Sequence, residues 1–123
     1  MSTGSFNVPV LGAADMSASF TGEPLKIEEF TLFSIQAAWS GASVDGTLVL
    51  QASNDVGGYG DNTITGVVNW TDIPNTSQAI TDASGTHLWN IIGAGWRWVR
   101  VKYARTAGTG TMSARAQAKP DLD

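Results

Sequence analysis

Apolar side chains recur at every second position through much of this chain. Phe33, Ile35, Ala37 and Trp39 share one parity, and Leu48, Leu50 and Ala52 repeat the pattern. Val99, Val101 and Tyr103 alternate with Arg100 and Lys102, while Met112, Ala114, Ala116 and Ala118 alternate with Ser113, Arg115 and Gln117. A period of two places one face of a strand in a core and the other outside it. Apolar residues at i, i+3, i+4 and i+7 are not sustained anywhere over the roughly 11 residues a helix needs. The pattern predicts an all-β chain.

Shorter strands are predicted at 6–10, 16–21, near 25–27, and at 64–70, 78–80 and 87–92, which gives roughly eight to ten in total. Residues 41–46 form the turn between the Phe33 and Leu48 strands. The Gly-rich run TAGTG at 106–110 is predicted to join the Val99 and Met112 strands as a hairpin. So many short strands with frequent turns suit a two-sheet antiparallel sandwich of jelly-roll type, with a single barrel as the alternative. Residues 54–66, NDVGGYGDNTITG, are the longest polar break and read as an exposed excursion. One domain is expected over 1–123. Residues 1–11 are a candidate N-terminal arm, since V-P-V suits an edge strand added to a neighbour, and 119–123 form a terminal tail beyond the last strand.

Composition narrows the chemistry. A chain of 123 residues can bury a core without staples, and it has no cysteine, so disulfides, thiolate nucleophiles and zinc–thiolate sites are excluded. Apolar residues make up 42 % and charged residues only 15 %, too apolar for disorder and poor in surface charge for a solitary chain. Part of the surface is therefore expected to be covered by another chain. Seven Lys and Arg against eleven Asp and Glu, a net charge of −4, argue against nucleic acid. The start carries no basic segment leading into an apolar run, and no stretch reaches the ~18 to 20 apolar residues that span a bilayer, so no membrane partner is expected. The N-x-S/T triplets at Asn69 and Asn75 are read as chance.

No enzyme is expected. The single histidine, His87, lies inside a predicted strand, without a G-x-S-x-G elbow or comparable nucleophile motif, and reads as a plain strand histidine. Glu28, Glu29, Asp45, Asp55, Asp61 and Asp72 form the carboxylate pool, but most sit in turns, where Asp serves backbone hydrogen bonding. No cofactor is implied. Asn54, Asp55, Asp61 and Asn62 gather hard oxygen donors in one Gly-rich loop, a weak calcium signal that matches no EF-hand spacing; a plain loop of turn-forming residues is the competing reading.

Tryptophan is the sharper signal, with five in the chain. If Val99, Val101 and Tyr103 point inward, Trp96, Trp98, Arg100 and Lys102 share the opposite face, two indoles and two cations in a row. Such a row fits an interface or ligand-binding anchor, because Trp and Arg dominate interface hot spots and indoles stack on sugars. The alternative is local burial on both faces, with the indoles under a loop.

The runs FSIQAAWSG (33–41), GTLVLQASND (46–55), NWTDIP (69–74), GAGWRWVRVKY (93–103) and GTGTMSAR (108–115) resemble a family of small tailed-bacteriophage virion proteins, over about residues 16–119. The resemblance implies a structural component of the particle, a capsid decoration or a tail or fibre accessory. It implies other virion proteins as partners, a homo-oligomer, and assembly in the host bacterial cytoplasm. A fainter likeness to discoidin-type sandwiches rests on S-N-D followed by Trp and an aliphatic; this chain departs from it in being shorter and lacking cysteine. That second likeness points to the alternative, a module binding a surface glycan or host receptor.

Overall fold

The computed structural model describes residues 6–27, 30, 32–41, 43–55, 67–81, 84–92 and 96–119. These residues form ten strands: β1 (Phe6–Asp15), β2 (Phe20–Thr21), β3 (Leu25–Lys26), β4 (Leu32–Gly41), β5 (Asp45–Ser53), β6 (Thr71–Asp72), β7 (Gln78–Ile80), β8 (Ser84–Ile92), β9 (Trp98–Ala107) and β10 (Gly110–Lys119). One sheet runs β1-β10-β4-β8. The six-stranded sheet runs β2-β9-β5-β6, with β3 also on β9 and β7 also on β5. Every pairing is antiparallel. Counting β2 with β3 and β6 with β7 as broken single strands, the chain passes from sheet to sheet in the order of a jelly roll, as predicted.

The period-two residues build the core. Phe33, Ile35, Ala37 and Trp39 of β4 and Met112, Ala114, Ala116 and Ala118 of β10 are buried from one sheet; Leu48 and Leu50 of β5 and Val99, Val101 and Tyr103 of β9 meet them from the other. Side chains such as Leu48 and Leu50, fully buried, each contribute roughly 1.5 to 3 kcal/mol. Tyr103 is enclosed as well, its hydroxyl donating to the Asp45 carbonyl at 3.2 Å and its ring 5.2 Å from that of Phe20. Gly46 is required beside it: a Cβ there would come within 2.6 Å of the Tyr103 hydroxyl.

The sheets are also tied by polar contacts. Between β6 and β7 the edge of β5 lacks a partner strand at Leu50, and the loop fills the gap. The Leu50 N–H donates to the Thr76 hydroxyl at 3.2 Å, that hydroxyl donates to the Ile73 carbonyl at 2.7 Å, and the Ile73 N–H returns to the Leu50 carbonyl at 2.8 Å. Asn75 makes this tight turn at φ 67°, a left-handed conformation asparagine tolerates. The Thr76 carbonyl then accepts the indole N–H of Trp89, from the opposite sheet, at 2.8 Å.

Several sequence expectations are corrected. The TAGTG run is not a hairpin: β9 belongs to the six-stranded sheet and β10 to the other, so 106–110 arches over the end of the sandwich. Gly108 takes φ 85° there, and its carbonyl accepts Arg105 Nε at 2.9 Å. Alternation marks which side of a strand is apolar but not which strand lies beside it, so two inward faces meeting across the core read like a hairpin. The strand expected at 16–21 shrinks to Phe20–Thr21. Asp15 accepts the Ser17 N–H at 2.9 Å, an Asx-type turn that ends β1. Of the strand expected at 64–70, residues 64–66 lie outside the described residues, 67–70 are irregular, and pairing begins at Thr71. The candidate arm 1–11 is, from Phe6 onward, part of β1 paired with the chain's own β10; residues 1–5 lie outside the described residues. Of the expected tail, Lys119 still pairs in β10, and 120–123 lie outside the described residues.

Candidate functional site

The predicted Trp–cation row sits on the outer face of the six-stranded sheet, with one member displaced. Val99, Val101 and Tyr103 point inward, so Trp98, Arg100 and Lys102 point out. Trp96 does not join them. It precedes β9, where Arg97 departs from strand pairing: its N–H donates to Asn54 Oδ1 at 3.1 Å and its carbonyl accepts the Ile27 N–H at 2.7 Å. The alternation therefore does not reach back to Trp96, whose ring packs edge-on to Phe33 at 6.5 Å, against the core.

Trp98 is outward-facing yet only 5 % exposed. With Val67 it is buried apart from the main core, and Gln51 and Ser53, on the same outer face of β5, are buried too. At Trp98 the sheet is thus buried on its outer face as well as its inner one. Among the described residues the Trp98 indole N–H has no hydrogen-bond partner.

Register then assembles a polar row that the sequence reading missed. Arg100 of β9 lies opposite Gln51 of β5, which lies opposite Asp72 of β6. Arg100 Nε donates to Gln51 Oε1 at 2.9 Å, and Gln51 Nε2 donates to Asp72 Oδ1 at 2.9 Å. The Arg100 guanidinium also stacks on Trp70, 4.2 Å from its ring centroid, and partial burial lowers its pKa. The sequence signal for Gln51 was its parity, opposite to Leu48 and Leu50; nothing local revealed its partners. Lys102, half-buried, continues the outer row opposite Val49 and Thr21.

At the end of this row lies a hollow of about 220 Å³, bounded by Asn54, Asn69, Thr71, Asp72, Pro74 and Trp96. Its rim is held by Asp55. That carboxylate accepts the backbone N–H groups of Val68 and Asn69 at 2.8 and 2.9 Å and the Asn69 side-chain amide at 3.1 and 3.2 Å. The Asn69 and Val68 backbone bonds, then the amide, hold the Asp55 carboxyl below the usual carboxylate range. Of the proposed calcium ligands, Asn54 and Asp55 are thus engaged within the fold, and Asp61 and Asn62 lie outside the described residues. His87 lies in β8 opposite Ala37, edge-on to Trp89 at 4.8 Å, and burial lowers its pKa.

No protein-family model matches the chain, and no curated protein matches its sequence. Among solved structures, the SPBc2 prophage-derived protein YomS is similar at 15 % identity and a TM-score of 0.55, over 93 % of each chain. That likeness is one of fold. The N-terminal cellulose-binding domain of β-1,4-glucanase C from Cellulomonas fimi superimposes more loosely, with a TM-score of 0.48 and 14 % identity over 98 % of this chain and 81 % of that one.

Proposed function

We propose that this chain is a non-enzymatic structural protein of a phage virion, a capsid-decoration or tail- or fibre-associated component that self-associates and docks on the particle. The observation that carries the reading is a jelly roll matching a prophage-derived protein over 93 % of its length. The motif runs that resemble small tailed-phage proteins supply the structural elements of that fold. The chemistry-bearing residues support the same reading, because they are spent on architecture. Asp55 ties Val68 and Asn69 to the end of β5, Trp98 is buried in the outer face, and His87 packs on Trp89.

The test is the solution mass of the purified protein, measured before and after mixing with shells from which it has been removed. A discrete oligomer or saturable shell binding is expected. A stable monomer that ignores shells would refute the reading.

The Arg100 row favours a second reading, a glycan- or receptor-binding module. Trp70, Arg100 and Asp72 offer an indole beside planar donors and acceptors, next to the Trp96 hollow, the combination that recognises sugar rings. In this reading, polysaccharide binding is lost on substituting Trp70 or Asp72, with the fold retained.

A further inference from the structure

Among the described residues the two sheets have four lateral edges, and three carry features that discourage pairing with another chain. On the six-stranded sheet the edges are broken into β2 and β3, of two residues each, and β6 and β7, of two and three, with Lys26 in β3. On the four-stranded sheet, β1 carries Pro9, register shifts between Pro9 and Leu11 and between Leu11 and Ala14, and Ala13 at φ 52°. Short strands, proline, lysine and bulges are the devices by which natural sheets protect their edges.

The fourth edge, β8, has none of them. It runs nine residues, Ser84–Ile92, and pairs with β4 from Leu32 to Ser40 without a register shift. It contains no proline, lysine, arginine or carboxylate, and its one ionisable side chain, His87, faces inward opposite Ala37. Among the described residues no strand lies on its other side. Leu88, on the outer face at the midpoint of the strand, is 59 % exposed. The outer-face neighbours on β4 are Ser34, Gln36, Ala38 and Ser40, equally uncharged.

A second copy meets this edge strand for strand, with equal length and no opposing charge. Two neutral strands meet without like-charge repulsion, whereas a charged strand would oppose its own copy. From these features we infer that β8 pairs antiparallel with β8 of a second copy about a two-fold axis, fusing two four-stranded sheets into one of eight strands. The register that pairs the whole strand is centred on Leu88, so Leu88 faces the second copy's Leu88 and Thr86 faces the second copy's Asn90. The joined edge is about 30 Å long. Strand pairing of this length buries less than the ~1,200 to 2,000 Å² of a standard interface, so the dimer is concentration-dependent. The inference gives a geometry to the self-association in the proposed function and rests on that reading for its purpose alone.

The test uses light scattering over a concentration series, with two kinds of variant. The unmodified chain should approach twice its monomer mass as concentration rises, while Leu88→Lys, which sets like charges face to face at an exposed position, should stay monomeric with an unchanged melting temperature. Because the chain has no cysteine, Leu88→Cys gives a clean cross-linking probe. Opposed residues in an antiparallel pair have Cα atoms about 4.5 to 5.5 Å apart, within disulfide range, whereas the two copies of Thr86 would be about 14 Å apart. Mild oxidation should therefore cross-link Leu88→Cys and leave Thr86→Cys single. An unmodified chain that is monomeric throughout, or a dimer that survives Leu88→Lys and fails to cross-link through Leu88→Cys, overturns the inference. A cross-linked dimer that binds no shells supports it while removing docking on the particle from the proposed function.

Discussion

Asp55 and Asn69, 14 positions apart, are joined directly: the Asp55 carboxylate accepts both the backbone N–H and the side-chain amide of Asn69. The contact brings the end of β5 to the segment that leads into β6, and so places Trp70 over Arg100 and Asp72 beside Gln51. A residue that reads from sequence as a candidate metal ligand is here the clasp that positions the outer polar row.

The clasp makes stability depend on acid. A carboxyl whose folded pKa is depressed contributes stability above its unfolded value, near pH 4, and loses it as pH falls through the folded value. Asp55→Ala should lower the melting temperature at pH 7, and the gap from the unmodified protein should narrow at pH 3. Thermal melts at the two pH values check this; a gap of equal size at both would show that charge on Asp55 contributes nothing.

Thr76 predicts a larger loss than its size implies. Thr76→Val keeps the shape but strands the buried Leu50 N–H and removes the bond to the Ile73 carbonyl. A cost of about 1 to 3 kcal/mol is expected in urea unfolding, the penalty for an unsatisfied buried group. A change below about 0.5 kcal/mol would mean that the loop re-satisfies Leu50 another way.

Trp98 separates packing from recognition. Trp98→Ala should cost about 3 to 5 kcal/mol, as for a large buried side chain. Trp98→Phe should cost far less, since it removes a buried N–H that has no partner among the described residues. If both variants instead melted like the unmodified protein while losing a binding partner, Trp98 would be an exposed anchor after all.

Tyr103 couples the core to alkaline pH. Burial raises its pKa, so the stability it contributes is complete below the unfolded value, near pH 10, and is lost as pH climbs through the folded value. Tyr103→Phe should cost about 0.5 to 1.5 kcal/mol at pH 7 through the lost bond to the Asp45 carbonyl, and should flatten the alkaline decline. Gly46→Ala, whose Cβ would press on the Tyr103 hydroxyl and ring, should destabilise more, by about 1 to 3 kcal/mol. Melting curves from pH 7 to 11 give both results.

Much of this was legible along the chain, because side-chain alternation is a local property of a strand. The inward parity of Phe33 to Trp39, Leu48 to Ala52, Val99 to Tyr103 and Met112 to Ala118 needs no partner to be read, and with the turns it determined an all-β sandwich. What alternation leaves open is adjacency. Whether β9 and β10 lie side by side or face to face depends on which sheet each enters, and the arch at Gly108 settled that in three dimensions. The outer polar row was open for the same reason. Arg100, Gln51 and Asp72 meet through register between strands distant in sequence. Trp98 is buried on a face that its own strand marks as outer. Within the long strands sequence decided which face each side chain takes; the tertiary structure alone decided where that alternation stops, as before Trp98, and what each face meets, because contacts between strands are set by packing across the whole sandwich.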